Sequence, residues 1–189
     1  MSNGAYARHM PKLCPKIILE GTRLTHKTDL AFVLNEHPRI VGERKYRYHS
    51  PVVSGEWCGF TNTPWGRGLI NFAPAELDHA LATYDAWLNL IEHLPYYSWI
   101  IDRFHLSTLA FQRHAGRLDE AQLARLERAL TVIEARLRHL GFVLVLTTRR
   151  DDSFESARAE RLKVSGNPRQ YDGLSIFVDE QRRIRAIAA

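Results

Sequence analysis

A chain of 189 residues is long enough for one domain with a sizeable core. Hydrophobic residues make up 45% and charged residues 25%, the balance of a soluble globular protein, and no apolar run approaches the roughly 18 residues of a membrane span. The formal charge of +5 suits an anionic ligand and a polynucleotide surface equally, so charge alone does not choose between them.

Residues 1–15 lack an apolar stretch of signal-peptide length and read as a loose leader to a single domain over 16–189. Cys14 and Cys58 are isolated and have no metal-ligand spacing, which fits reduced thiols in a cytoplasmic protein. Residues 16–20 are apolar and β-branched, as expected of a buried parallel strand. Thr28 to Asn35 continues as a helix that should stop before Pro38, and Arg39-Ile40-Val41 is a candidate second strand. Residues 42–73 carry Gly, Pro, Arg and aromatic residues with no period, and a stretch of that length reads as a functional excursion. From Ala75 to His93 the apolar positions Leu77, Leu81, Tyr84, Leu88 and Ile91 recur at helical spacing. Tyr97 to Ile101 is a short buried strand ending at Asp102-Arg103, with a helix expected through Gln112. Asp119 can cap a helix over Glu120–His139 that Gly141 ends. Phe142 to Thr147 reads as another buried strand. Ser153 can cap a basic helix through Lys163, Pro168 to Gly173 reads as a turn, and the tail from Leu174 reads as helix. Strands alternating with helices predict an α/β fold with a central parallel sheet.

The junction after the first strand is the most informative stretch. Gly21-Thr22-Arg23-Leu24-Thr25-His26-Lys27-Thr28 follows the phosphate-loop pattern G-x-x-x-x-G-K-[ST], except that His26 stands where the second glycine belongs. Such a loop turns backbone N–H groups around phosphate oxygens at a helix N-terminus. In that pattern Lys27 reaches the terminal phosphates and Thr28 ligates Mg²⁺. His26 can adopt the left-handed geometry open to glycine at a cost of about 1–2 kcal/mol, and its imidazole must point away from the phosphates or it blocks them. The alternative is an ordinary strand–turn–helix with Lys27 on the surface.

Three separated segments together resemble the thymidylate kinase and deoxynucleoside kinase superfamily. Leu19-Glu20-Gly21-Thr22 with Lys27-Thr28 is similar to its opening loop. Asp102-Arg103-Phe104-His105-Leu106-Ser107 is similar to its D-R-x-x-x-S segment, and Thr147-Thr148-Arg149-Arg150 with Glu155, Arg158 and Arg161 is similar to its strand and arginine-bearing LID. The resemblance implies a three-layer α/β/α phosphate-loop kinase fold using ATP and Mg²⁺, with a LID region over 148–173. It implies that the loop Gly21–Thr28 holds the donor, and that Thr28 and Asp102 serve the metal. Arg103 would position the acceptor, and Arg149, Arg150, Arg158 and Arg161 would stabilise the transferring phosphoryl group. The acceptor pocket would come from the excursion, with Glu43, Arg44, Arg47, Glu56 and Trp57 as binding candidates beside Tyr48, His49, Phe60, Trp65 and Arg67. The family's glutamate base after the second strand has two candidates, Glu43 and Glu56. The expected acceptor is a nucleoside, nucleotide or similar hydroxylated metabolite. Two other readings remain: a scaffold that binds without turnover, and a kinase acting on a hydroxymethylated base in DNA. A homodimer is left open, and no membrane partner is expected.

Overall fold

The computed structural model describes residues 13–41, 52–55, 68–164 and 173–189. Four parallel strands form the centre: β1 (Lys16–Glu20), β2 (Val52–Ser54), β3 (Trp99–Asp102) and β4 (Val143–Leu146), in spatial order β2-β3-β1-β4. In register, Leu19 lies opposite Asp102 on one side and Val145 on the other. The chain leaves β1 toward β2, on one side, and leaves β3 toward β4, on the other. Connections that depart in opposite directions from neighbouring strands open a crevice at their carboxyl ends, where open α/β sheets bind ligands.

Helices cover both faces. On one, α1 (Lys27–Asn35) packs Ala31 against Leu19 and Ile100, with Leu30 and Leu34 beside them. On the other, α3 (Leu77–His93) and α5 (Glu120–His139) bury Tyr84, Leu88, Ile91, Leu126, Leu130, Ile133 and Leu137 against Ile18, Trp99 and Ile101. The period of two along a strand sorts the rest: Ile17 and Leu19 share α1's face, as do Ile100 and Asp102, while Ile18 and Glu20 point to the opposite layer. Between the strand ends and α5 lies α4 (His105–Ala115), whose Thr108 hydroxyl meets the buried Tyr84 hydroxyl at 2.7 Å. Asp119 caps α5 by accepting from Gln122 N at 2.7 Å, while the Gln122 side chain accepts from Asp119 N. Gly141, at φ 79°, follows the end of α5, as expected. Finally α6 (Phe154–Leu162) and α7 (Leu174–Ala188) build a small cluster of Phe154 and Phe177 against Leu24 of the loop after β1, and α7 lies along α4.

Several expectations are corrected. Residues 39–41 are not a strand but part of a short helix, α2 (Pro38–Val41): Pro38 starts it, and Ile40 N and Val41 N both donate to His37 O. Ile40 and Val41 are buried, so their apolar character reflects packing and not β pairing. The second strand is Val52–Ser54, inside the stretch read as an excursion without elements. β4 is not a buried strand. It is the last strand of the sheet among the described residues, with Val143 60% and Leu144 40% exposed. An apolar run of this length cannot by itself tell a central strand from an edge one. Ser153 precedes α6, but its hydroxyl donates to Arg150 O at 2.7 Å and does not cap the helix. Residues 1–12 of the leader, Cys58 and the 168–172 part of the turn lie outside the described residues. No described helix is long and apolar enough to cross a membrane.

Candidate active site

The loop after β1 is held in a conformation that most residues avoid. Gly21 has φ 144°, and a Cβ there would lie 2.4 Å from Thr147 O and 2.6 Å from Thr147 Oγ1, so only glycine fits. Leu24 and His26 both stand in the left-handed region, at φ 62° and 59°. For non-glycine residues that costs about 1–2 kcal/mol each, a cost the surroundings must offset. Arg149 Nε donates to Leu24 O at 2.8 Å and braces that residue, while His26 Nδ1 meets Asp29 Oδ2 at 2.9 Å on the surface, a contact worth little. His26 therefore has a left-handed backbone, and its ring is engaged by Asp29 and 56% exposed.

The interior is polar and closed. Lys27 is buried, with its ammonium donating to Thr22 O at 2.6 Å, and the Thr25 hydroxyl donates to the same carbonyl at 2.8 Å. Arg23 is on the exposed side. The loop runs directly into α1 at Lys27, and no side chain caps that end. The first N–H groups of an α-helix lack intrahelical acceptors, so this end attracts an anion. Thr147 ties the loop to the sheet: its N and its hydroxyl both donate to Glu20 O, at 2.8 and 3.0 Å.

Two carboxylates stand at the strand ends and do different work. Glu20 is fully buried on the α4 side. Its Oε1 accepts from Phe104 N and Leu106 N, both at 3.0 Å, and its Oε2 accepts from the Ser107 hydroxyl. Glu20 thus caps α4 from another strand, a role that neither Asp102 nor any residue of α4's own approach supplies. Asp102, on the α1 side, accepts from the Thr28 hydroxyl at 2.5 Å through Oδ2, across 74 residues of sequence. Its Oδ1 is buried and meets no donor among the described residues. A hydroxyl beside a carboxylate with one uncommitted buried oxygen is the hard-oxygen donor set that suits Mg²⁺.

Arg103 follows at φ 62°, again left-handed. Its Nε donates to Ser107 Oγ at 3.2 Å, and its Nη2 pairs with Glu180 Oε1 of α7. The other Glu180 oxygen accepts from the Thr22 hydroxyl. Gln181 beside it is buried and reads the backbone of Arg149 at two points: its Oε1 accepts from Arg149 N at 2.7 Å and its Nε2 donates to Arg149 O at 2.8 Å. His105, in the first turn of α4, is buried. Burial pushes its imidazole below the ordinary histidine range, with Glu20 and Glu134 opposing and Arg138 reinforcing that direction.

The structure therefore brings together Gly21 to Thr28, Asp102, Arg103 and Arg149 of the residues singled out in the sequence. Of the other LID candidates, Arg150 pairs with Asp152, Arg158 contacts Glu155 one turn back, and Arg161 is exposed on α6. Arg125 and Arg136 of α5 are engaged with Asp78, Asp85 and Glu92 of α3, a paired surface. Glu43, Arg44, Arg47, Glu56 and Trp57 lie outside the described residues. Missed from sequence were Glu20, Thr147, Glu180 and Gln181. Alternation along β1 could have placed Glu20, but nothing local marks the α7 pair. No protein-family model matches this chain, and no curated protein does.

Proposed function

We propose that this chain is an ATP–Mg²⁺-dependent kinase of a small hydroxylated acceptor, nucleoside-like in character, built on a phosphate-loop fold. The observation that carries this reading is the Thr28–Asp102 contact beside a loop whose His26 has a left-handed backbone and a ring engaged by Asp29 on the surface. No side chain caps the end of α1 that the loop enters, which supports an anion site there. Lys27 and the N-terminal N–H groups of α1 bind those phosphates, and Arg149 braces the loop through Leu24. Thr28 and Asp102 hold Mg²⁺, which when bound neutralises charge on the transferring phosphates. Arg103 orients the acceptor. In the transfer, the acceptor hydroxyl oxygen bonds to the γ-phosphorus, the bond from that phosphorus to the β–γ bridging oxygen breaks, ADP leaves, and the hydroxyl proton passes to a carboxylate. With β2 at Val52–Ser54, Glu56 is the glutamate that follows the second strand, and Glu43 precedes it. Glu56 is therefore the stronger base candidate.

The scaffold reading is favoured by one observation: Lys27 and Arg103 both have partners within the chain, Thr22 O and Glu180. Calorimetry with ATP–Mg²⁺ and a transfer screen with labelled ATP against nucleosides, nucleotides, DNA and small alcohols separate the readings. Binding and transfer that Lys27→Ala reduces by about a hundredfold support the kinase. Binding without transfer to any acceptor supports the scaffold, and absence of binding ends the kinase reading.

A further inference from the structure

We propose that Glu180 is a specificity-determining residue: it neutralises Arg103 at the acceptor end of the site, so that an uncharged hydroxyl compound is taken in preference to a phosphorylated one. This rests on the assignment of Gly21–Thr28 and Asp102–Arg103 to donor and acceptor.

Both oxygens of Glu180 are committed, one to Arg103 Nη2 and the other to the Thr22 hydroxyl of the loop. Arg103 is buried and Glu180 part-buried, with side-chain exposures of 5% and 13%. The guanidinium is also held from behind, since its Nε donates to Ser107, whose own hydroxyl donates to Glu20. Glu180 cannot swing aside freely. Its helix is anchored one residue on by Gln181 on the Arg149 backbone, and by the buried Phe177 and Ile184. The acceptor end therefore presents a neutral ion pair where an unpaired Arg103 would present a cation. A phosphate monoester carries about −1.5 to −2 charge and would have to displace this carboxylate or bear its repulsion. An alcohol brings no charge and meets neither cost. The same contact makes the acceptor end sense the donor loop, because Thr22 belongs to that loop.

The test is calorimetry with inorganic phosphate as the probe, on protein saturated with AMP-PNP–Mg²⁺ so that the donor loop is filled. It is run on wild type, Glu180→Gln, Glu180→Ala and the double variant Glu180→Gln/Arg103→Gln. Glutamine keeps the shape and a hydrogen-bond acceptor for Arg103, and thermal melts establish that each variant is folded. Glu180→Gln and Glu180→Ala are expected to bind phosphate at least about tenfold more tightly than wild type, the difference between a charge-assisted and a neutralised site. The double variant is expected to lose that gain. In transfer assays the preference for nucleosides over nucleoside 5′-monophosphates falls in the same order. Unchanged phosphate affinity in both Glu180 variants, a gain that survives without Arg103, or a wild type that prefers monophosphates overturns the proposal while the donor loop stands. If AMP-PNP does not bind wild type, the loop assignment fails first, before phosphate is added, and the proposal fails with it.

Discussion

Replacing His26 by glycine tests the loop directly. At φ 59° and ψ 25° the His26 backbone is left-handed, and glycine relieves about 1–2 kcal/mol of steric cost there. Against this, glycine loses more chain entropy on folding, about 0.5–1 kcal/mol. The imidazole contact with Asp29 is 56% exposed on both sides, so its loss is worth little. The balance is a stability change between about zero and +1 kcal/mol, a melting temperature unchanged or raised by up to about 4 °C for a chain of this size. On the proposed reading, with the Asp29-bound ring clear of the phosphates, His26→Gly is expected to leave ATP–Mg²⁺ affinity within about threefold of wild type. Gly21→Ala supplies the contrast. Its methyl group would meet Thr147 O at 2.4 Å at a φ of 144°, so overpacking and backbone strain together cost at least about 2 kcal/mol. Scanning calorimetry and nucleotide titration read both variants. A His26→Gly protein that melts more than about 4 °C lower would refute the left-handed assignment. One that binds ATP more than about tenfold tighter would place the imidazole in the phosphate space.

Glu20→Gln keeps one acceptor but puts an amide where the carboxylate accepts from Ser107, in a fully buried site. It should destabilise the protein by about 1–3 kcal/mol in chemical denaturation, and an unchanged midpoint would remove Glu20 as the cap of α4. His105 is buried neutral with its pKa lowered, so below about pH 6.5 the unfolded chain takes up a proton that the folded chain refuses. Stability should therefore fall as pH drops below that value, by up to about 1.4 kcal/mol per pH unit until the folded pKa is reached. His105→Gln should flatten the profile between about pH 6.5 and 5, and an equally steep profile would assign the acid sensitivity elsewhere.

What the sequence revealed was what short-range rules govern. The Asp119 cap and the apolar positions from Leu77 to Ile91 placed α5 and α3 because helical period and capping are local. Gly21 and the Lys27-Thr28 pair marked the loop because a close backbone approach needs glycine. The strand expected at Arg39-Ile40-Val41 was a helix because burial and β pairing leave the same apolar signature in three residues, and Pro38 decided between them. The exposure of Val143 and Leu144 was hidden for a related reason: strand composition reports β geometry, not how many neighbours a strand has. Glu180 lay beyond reach altogether. It meets Arg103 across 77 residues from an amphipathic helix on which nothing distinguishes a buried glutamate from a solvated one.

The two strand-end carboxylates differ in how fully the chain engages them. Leu19 and Asp102 are level in register, so Glu20 stands one step further along β1 and, by alternation, on the opposite face. Glu20 accepts from Phe104 N at the start of α4 and from Leu106 N and the Ser107 hydroxyl within it, so both its oxygens are engaged. Among the described residues Asp102 has one side-chain donor, Thr28, and one buried oxygen without a partner, which on the proposed reading leaves it capacity for a ligand. The chain must turn sharply between them, because Phe104 and Leu106 have to return to Glu20 while Asp102 stays with Thr28. Arg103 makes that turn at φ 62°, and Gly55 lets it pass: a Cβ at Gly55 would lie 2.4 Å from Arg103 O, and Gly55 N instead donates to Asp102 O and Arg103 O. The strained arginine is thus a consequence of serving both carboxylates at once. The same turn brings its guanidinium to Ser107 and to Glu180 of α7.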